Sequence, residues 1–161
     1  WLLREKVHVI NLSVAGGDNK VIRLALKKSQ AKGVSMVAAA GNWGKKGKPA
    51  YPAAYGNVLA ITALRGNKSV YSHANQGSYI DFAAPGVKIW TAVPGGGKYQ
   101  SGTSFASPYI AVFAALLTAG GTAKSTNELR KVLKRKIIDL GNKGKDSVFG
   151  YGFVNLEPKC R

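Results

Sequence analysis

The apolar positions of the chain fall into two periods, and the switches between them mark its elements. Lys6 to Ser13 reads as a strand with Val7, Val9 and Ile10 buried, ending at Gly16-Gly17. Asp18 or Asn19 then caps a helix over about Lys20 to Lys32. Its apolar positions Val21, Ile22, Ala25 and Leu26 recur at helical spacing opposite Arg23, Lys27 and Lys28. Gly33 ends the helix, and Val34 to Ala40 is a nearly continuous apolar strand. Strand, helix, strand in that order demands a parallel pair joined by a crossover. Asn57 to Leu64 is a third strand, with shorter candidates at Ser69 to Ser72, Ser78 to Phe82 and Lys88 to Val93. Gly41 to Pro52 and Pro94 to Gly97 read as loops. Thr103 to Ala119 is apolar nearly all round, which predicts a helix buried between layers. Asn127 to Lys136 reads as a basic surface helix with Leu129, Val132 and Leu133 inward, and Tyr151 to Leu156 as a closing strand. No internal repeat or interdomain linker interrupts this α/β pattern.

Composition narrows the picture. With 161 residues, 45% of them hydrophobic, the chain can bury the core of one domain. It lacks the run of about 18 uninterrupted apolar residues that a membrane span needs. The 24 Lys and Arg outweigh 7 Asp and Glu, a net charge of +17. That charge fits either a face for an anionic partner or a generally basic surface. Its clusters, Lys27-Lys28, Lys45-Lys46-Lys48 and Arg130-Lys131-Lys134-Arg135-Lys136, carry no interleaved aromatic residues for base stacking. The scattered surface is therefore favoured, with no specific nucleic-acid partner. A nucleotide site of the G-x-G-x-x-G type fails, since Gly95-Gly96-Gly97 does not sit between a strand and a helix and G-K-[ST] is absent. The single cysteine, Cys160, gives neither an internal disulfide nor a metal set. The chain opens on Trp1 and runs directly toward a strand, so it reads as a piece of something longer.

The chemistry concentrates at Gly102-Thr103-Ser104-Phe105-Ala106-Ser107-Pro108. A serine between a Gly-containing loop and a helix meets unpaired backbone N–H groups and the positive end of the helix dipole. That environment suits a nucleophile whose product is an oxyanion. Gly102 permits the tight entry, Thr103 can cap, and Pro108 is tolerable where its missing donor would be unpaired. A bare G-T-S reads more readily as a capped core helix with an incidental serine.

The longer string resembles the serine motif G-T-S-x-A-x-P of the subtilisin-like serine proteases, the subtilases. Other stretches resemble the same family in the family's order. Asn11-Leu12-Ser13-Val14-Ala15-Gly16 is similar to its N-x-S-x-G-G segment, with Ala15 in place of the first glycine. Ala39-Ala40-Gly41-Asn42 matches A-A-G-N, and Tyr51-Pro52-Ala53 matches Y-P-A. Ser72 to Gly77, Asp81 to Gly86 and Gly150 to Asn155 resemble the family's S-x-x-G, A-P-G and closing G-x-G-x-x-N stretches. The resemblance implies a three-layer α/β fold, a mainly parallel sheet flanked by helices. It implies Ser104 as nucleophile and Asn42 as oxyanion donor. Ser13, Val14 and Ala15 would pair with an extended peptide, Ala39, Ala40 and Gly41 would wall the pocket for the residue before the scissile bond, and Thr103 would also face substrate. A cis Tyr51-Pro52 bond is implied too. No cofactor is implied for catalysis, but a structural calcium or monovalent cation is, on the carbonyls of Ala53, Tyr55 and Val58.

A serine also needs a base, and the base an orienting acid. The family's D-x-G and H-G-T contexts do not occur here. His8 lies in the first strand, and His73 is not at the family's base position; Asp18, Asp81, Asp139 and Asp146 lack the expected context. The expectation is that residues 1–161 form the C-terminal portion of one catalytic domain whose upstream part carries Asp and His. Such a protein would be a secreted or extracytoplasmic serine endopeptidase acting on peptides or proteins, acidic ones in particular. The alternative is a non-catalytic relative that binds peptides or polyanions through its basic surface.

Overall fold

A computed structural model describes residues 1–155, so Cys160 and the end of the expected closing strand lie outside the described residues. Strand β1 spans Val9–Leu12, helix α1 Lys20–Ala31, β2 Ser35–Ala39, β3 Leu59–Leu64 and β4 Phe82–Pro85. Strands β5 (Ile89–Val93) and β6 (Gly96–Gln100) precede α2 (Thr103–Ala119), α3 (Thr126–Leu133), β7 (Ile137–Ile138) and β8 (Phe153–Val154). One sheet runs in the order β1-β2-β3-β4-β8-β7. Its strands are parallel from β1 through β8, and only β7 pairs antiparallel.

The continuous apolar runs become strands buried on both faces, as parallel sheets require. Side chains alternate across them. Val37, Leu59, Ile61 and Phe82 meet Ala106, Ile110 and Ala114 of α2 and Leu129 and Leu133 of α3. Met36, Ala38 and Ala60 point the other way, toward Leu26 of α1 and the Ala53–Val58 segment. The result is the three-layer α/β sandwich expected from the sequence.

Asn19 caps α1, its side chain accepting from the N–H groups of Val21 and Ile22. Asp18 instead bonds the Tyr55 hydroxyl at 2.7 Å and pairs with Arg23. The Tyr55 hydrogen bond, with Arg23 behind it, holds its carboxyl below the usual carboxylate range.

Several expectations need correction. Val21 is 75% exposed and Ile22 46%. Only the narrow stripe of Leu26 and Ser29 is buried, so the apolar residues of α1 extend past the sheet beneath it. Helix α2 keeps its predicted bounds but is not buried all round, since Tyr109, Val112 and Leu116 lie exposed on its far side. Ser69 to Ser72 forms only an isolated bridge, Leu64 to Val70. The glycine run at Gly96 and Gly97 is strand rather than loop, because it completes a hairpin with β5 and the Trp90 indole packs over Gly97. No helix among the described residues is long and apolar enough to cross a membrane.

Candidate active site

The loop-to-helix junction at Ser104 is shaped by two residues the motif fixes. Gly102 precedes α2 at φ +155 and ψ 162, a conformation open essentially to glycine alone, and a Cβ there would sit 3.2 Å from Asn42 Nδ2. Because glycine has no side chain, the first turn of α2 has no side-chain cap. Pro108 lies at the sixth position of the helix, not in its first turn. Its missing N–H would have reached the Ser104 carbonyl. That carbonyl is taken instead by the Ser13 hydroxyl at 2.9 Å, while the Ser104 hydroxyl donates to the Ser13 carbonyl at 3.0 Å. The reciprocal pair spans 91 residues and locks the cleft segment to the serine. Ser107 Oγ, at 3.0 Å, joins the same Ser13 hydroxyl.

Thr103, expected as a cap and a substrate contact, is fully buried. Its hydroxyl accepts from Gly41 N–H at 3.1 Å and donates to Asn42 Oδ1 at 3.1 Å. Its backbone N–H also donates to Asn42 Oδ1, at 3.0 Å. An N–H can only donate, so these contacts assign the amide orientation. Asn42 Nδ2 therefore faces outward as a donor with no partner among the described residues. The Ser104 N–H likewise has none. Two donors without partners among the described residues thus adjoin one helix N-terminus, the Asn42 amide held on Thr103 and the N–H of Ser104 next to it, a pair suited to an oxyanion.

Val14 and Ala15 are exposed and make no backbone hydrogen bonds among the described residues, which leaves them open to pair with an added strand. Ala39, Ala40 and Gly41 are buried. At that burial they expose little surface in this structure. The surface beyond Asn42 is made instead by the loop of Trp43 to Pro49, and a residue not singled out in the sequence holds it. Asn75, fully buried, accepts from Trp43 N–H at 2.7 Å and donates to the Lys48 carbonyl at 2.9 Å. Its own N–H donates to the Gly41 carbonyl at 3.0 Å. Gly41 and Gly47 carry no Cβ because one would approach the Asn75 amide to 2.8 and 2.7 Å. The signal available in the sequence was Asn75 inside the Ser72 to Gly77 stretch, but no local period assigns it this role. Replacing Asn75 by Ala leaves an N–H and a carbonyl without partners and is expected to cost about 2 kcal/mol in urea unfolding.

Comparison with known proteins places this geometry. The model of the subtilase family (peptidase S8) matches residues 1–152. The chain belongs to the subtilase family. The minor extracellular protease Epr of Bacillus subtilis (strain 168) is 37% identical over 99% of this subtilase chain and 25% of its own length. Subtilisin DY of Bacillus licheniformis is 34% identical over 98% of the chain and 58% of its own length. Among solved structures, a psychrophilic protease superposes with a TM-score of 0.83 at 29% identity, and sphericase with 0.82 at 26%. Each alignment covers 92% of this chain and 57% of the other. The subtilase chain thus spans less than two thirds of the relatives it matches.

His73 is exposed, its Nδ1 3.3 Å from Ser72 Oγ and its ring against Tyr71. His8 is exposed at the approach to β1. Neither histidine bonds the Ser104 hydroxyl, which donates to the Ser13 backbone carbonyl.

Of the carbonyls of Ala53, Tyr55 and Val58, two already accept hydrogen bonds within the fold. The Tyr55 carbonyl accepts from Val58 N–H at 2.9 Å, and the Val58 carbonyl accepts from Arg130 Nη2 at 2.9 Å. The same guanidinium reaches the Gly56 carbonyl at 3.2 Å and both carboxylate oxygens of Asp81, which is 4% exposed. Lys145 adds a second positive charge 3.7 Å from Asp81. Positive charge here exceeds negative, and no cluster of three or more His, Cys, Asp or Glu side chains exists among the described residues.

Proposed function

We propose that residues 1–161 are the C-terminal portion of the catalytic domain of a secreted serine endopeptidase, whose Asp and His come from an upstream segment of the same domain. The observation that carries this reading is the pair of donors without partners among the described residues, Asn42 Nδ2 and Ser104 N–H, at the helix N-terminus that bears Ser104. A peptide lies along Ser13, Val14 and Ala15 as an added strand. Ser104 Oγ attacks the carbonyl as its proton passes to the upstream histidine, and the two donors hold the tetrahedral oxyanion. The histidine then protonates the leaving amine, and water releases the acyl group by the same steps.

The upstream segment is supported by surfaces left without partners. β1 is an edge strand of a parallel sheet, and Val21 and Leu24 of α1 and Val112 and Leu116 of α2 are exposed apolar residues. The relatives supply the corresponding length.

The test is labelling by a fluorophosphonate probe of this chain alone and of the chain joined to its native upstream segment, with Ser104→Ala as blank. Labelling only in the joined protein is the expected result. Efficient labelling of the chain alone would refute the need for an upstream base. Absence of labelling in both would favour a non-catalytic relative, for which the net charge of +17 already provides an attraction to polyanions.

A further inference from the structure

A pocket of about 350 Å³ opens between Gly16-Gly17 on one side and Trp43, Lys48 and Pro49 on the other. It lies where two cleft segments continue past the serine. One runs from Ser13, bonded to Ser104, to Gly16, and the other leaves Asn42 through Trp43. Gly16 is tied to Tyr51 by hydrogen bonds of 2.8 and 3.0 Å, and Asn75 clamps both ends of the Trp43 to Lys48 stretch. The pocket is therefore pre-formed, at the far end of the two segments that lead away from Ser104 and Asn42.

Its walls are an indole, a proline ring and glycine backbone, and among the described residues its one ionisable lining residue is Lys48. Lys45 and Lys46 are exposed on the same loop. Asp18, the carboxylate that follows Gly17 in the chain, is engaged by Tyr55 and Arg23. An apolar slot lined by a lysine with no ion-pair partner among the described residues suits a side chain with methylenes at its base and a carboxylate at its tip. It disfavours a lysine or arginine by like charge.

We propose that this pocket selects glutamate before the scissile bond, with Lys48 as the specificity-determining residue. The inference rests on the peptidase reading above and deepens it. The experiment compares the full-length protein, including its upstream segment, on peptides that differ only in Glu, Gln or Lys before the scissile bond. Rates are normalised to the fraction of Ser104 titrated by a fluorophosphonate, which places no side chain in the pocket.

The expected result is kcat/KM for Glu about tenfold above that for Lys at low ionic strength, with Glu also ahead of its neutral isostere Gln. Lys48→Met should bring Glu and Gln level, and Lys48→Glu should reverse the order of Glu and Lys. Added salt should compress the differences. A Glu-to-Gln ratio unchanged in both variants, in protein whose Ser104 titrates, would overturn the proposal while leaving the peptidase reading intact. Failure of Ser104 to titrate would overturn the peptidase reading and the inference with it.

Discussion

In the chain joined to its upstream segment, Asn42→Leu is expected to slow hydrolysis by about 10²–10³ in kcat with little change in KM, a magnitude known from the corresponding donor of subtilisin itself. The direction follows from geometry. Asn42 Oδ1 is held by the Thr103 N–H and hydroxyl at 3.0 and 3.1 Å, so the amide is oriented before any substrate arrives and its Nδ2 has no acceptor among the described residues. A donor that is fixed and unpaired acts mainly where charge develops, on the tetrahedral oxyanion, and leaves ground-state binding nearly unchanged. Ser104→Ala removes the nucleophile and should abolish covalent labelling altogether. A rise in KM with kcat preserved in Asn42→Leu would show that the amide binds substrate and not the transition state. Thr103→Val supplies an independent check. It keeps the backbone donor but removes the hydroxyl, and should weaken kcat in the same direction by less than Asn42→Leu does.

Arg130→Met is expected to destabilise the fold by about 3 kcal/mol, read from urea unfolding, because it strands a buried carboxylate. Asp81 is 4% exposed and spans two strands, accepting from Ala60 N–H at 3.1 Å and from Arg130 Nε at 3.0 Å. Lys145 at 3.7 Å is too distant to replace the paired contacts of the guanidinium. Loss of Arg130 also frees the carbonyls of Gly56 and Val58. The double variant Asp81→Asn with Arg130→Met should recover part of the loss, since the stranded charge is gone. Equal destabilisation of the single and double variants would place the energy in the carbonyl contacts and not in the ion pair. If calcium restored the Arg130→Met variant, the guanidinium would be standing where a cation can bind.

Much of the frame was legible in the residue order. The period of the apolar positions placed β2, β3 and α2, and Asn19 at the head of α1 caps it as an N-terminal Asn should, because a cap depends only on residues two and three positions away. Serine motif, cleft segment and A-A-G-N stretch follow one another in the family's order, and family membership is borne out across residues 1–152. Solvent exposure was not legible on α1 and α2. A period shows which face of a helix is apolar, but not how far the sheet below reaches to cover it.

Within the site the limit has the same cause. Sequence by itself determined the local chemistry: a glycine that lets the chain turn into α2, a serine at the helix N-terminus, and an asparagine at the end of a parallel strand. Tertiary structure alone decided what each group touches. It gave Ser13 the carbonyl that Pro108 leaves free, turned Thr103 from cleft to scaffold, and set Arg130 across the Val58 carbonyl. It also made Asn75 the clamp of the loop beside Asn42. These contacts join residues 27 to 91 positions apart, the loop–amide and serine contacts among them. Helical and strand periods describe neighbours within a few residues, so hydrogen bonds between distant segments are settled only when the layers pack.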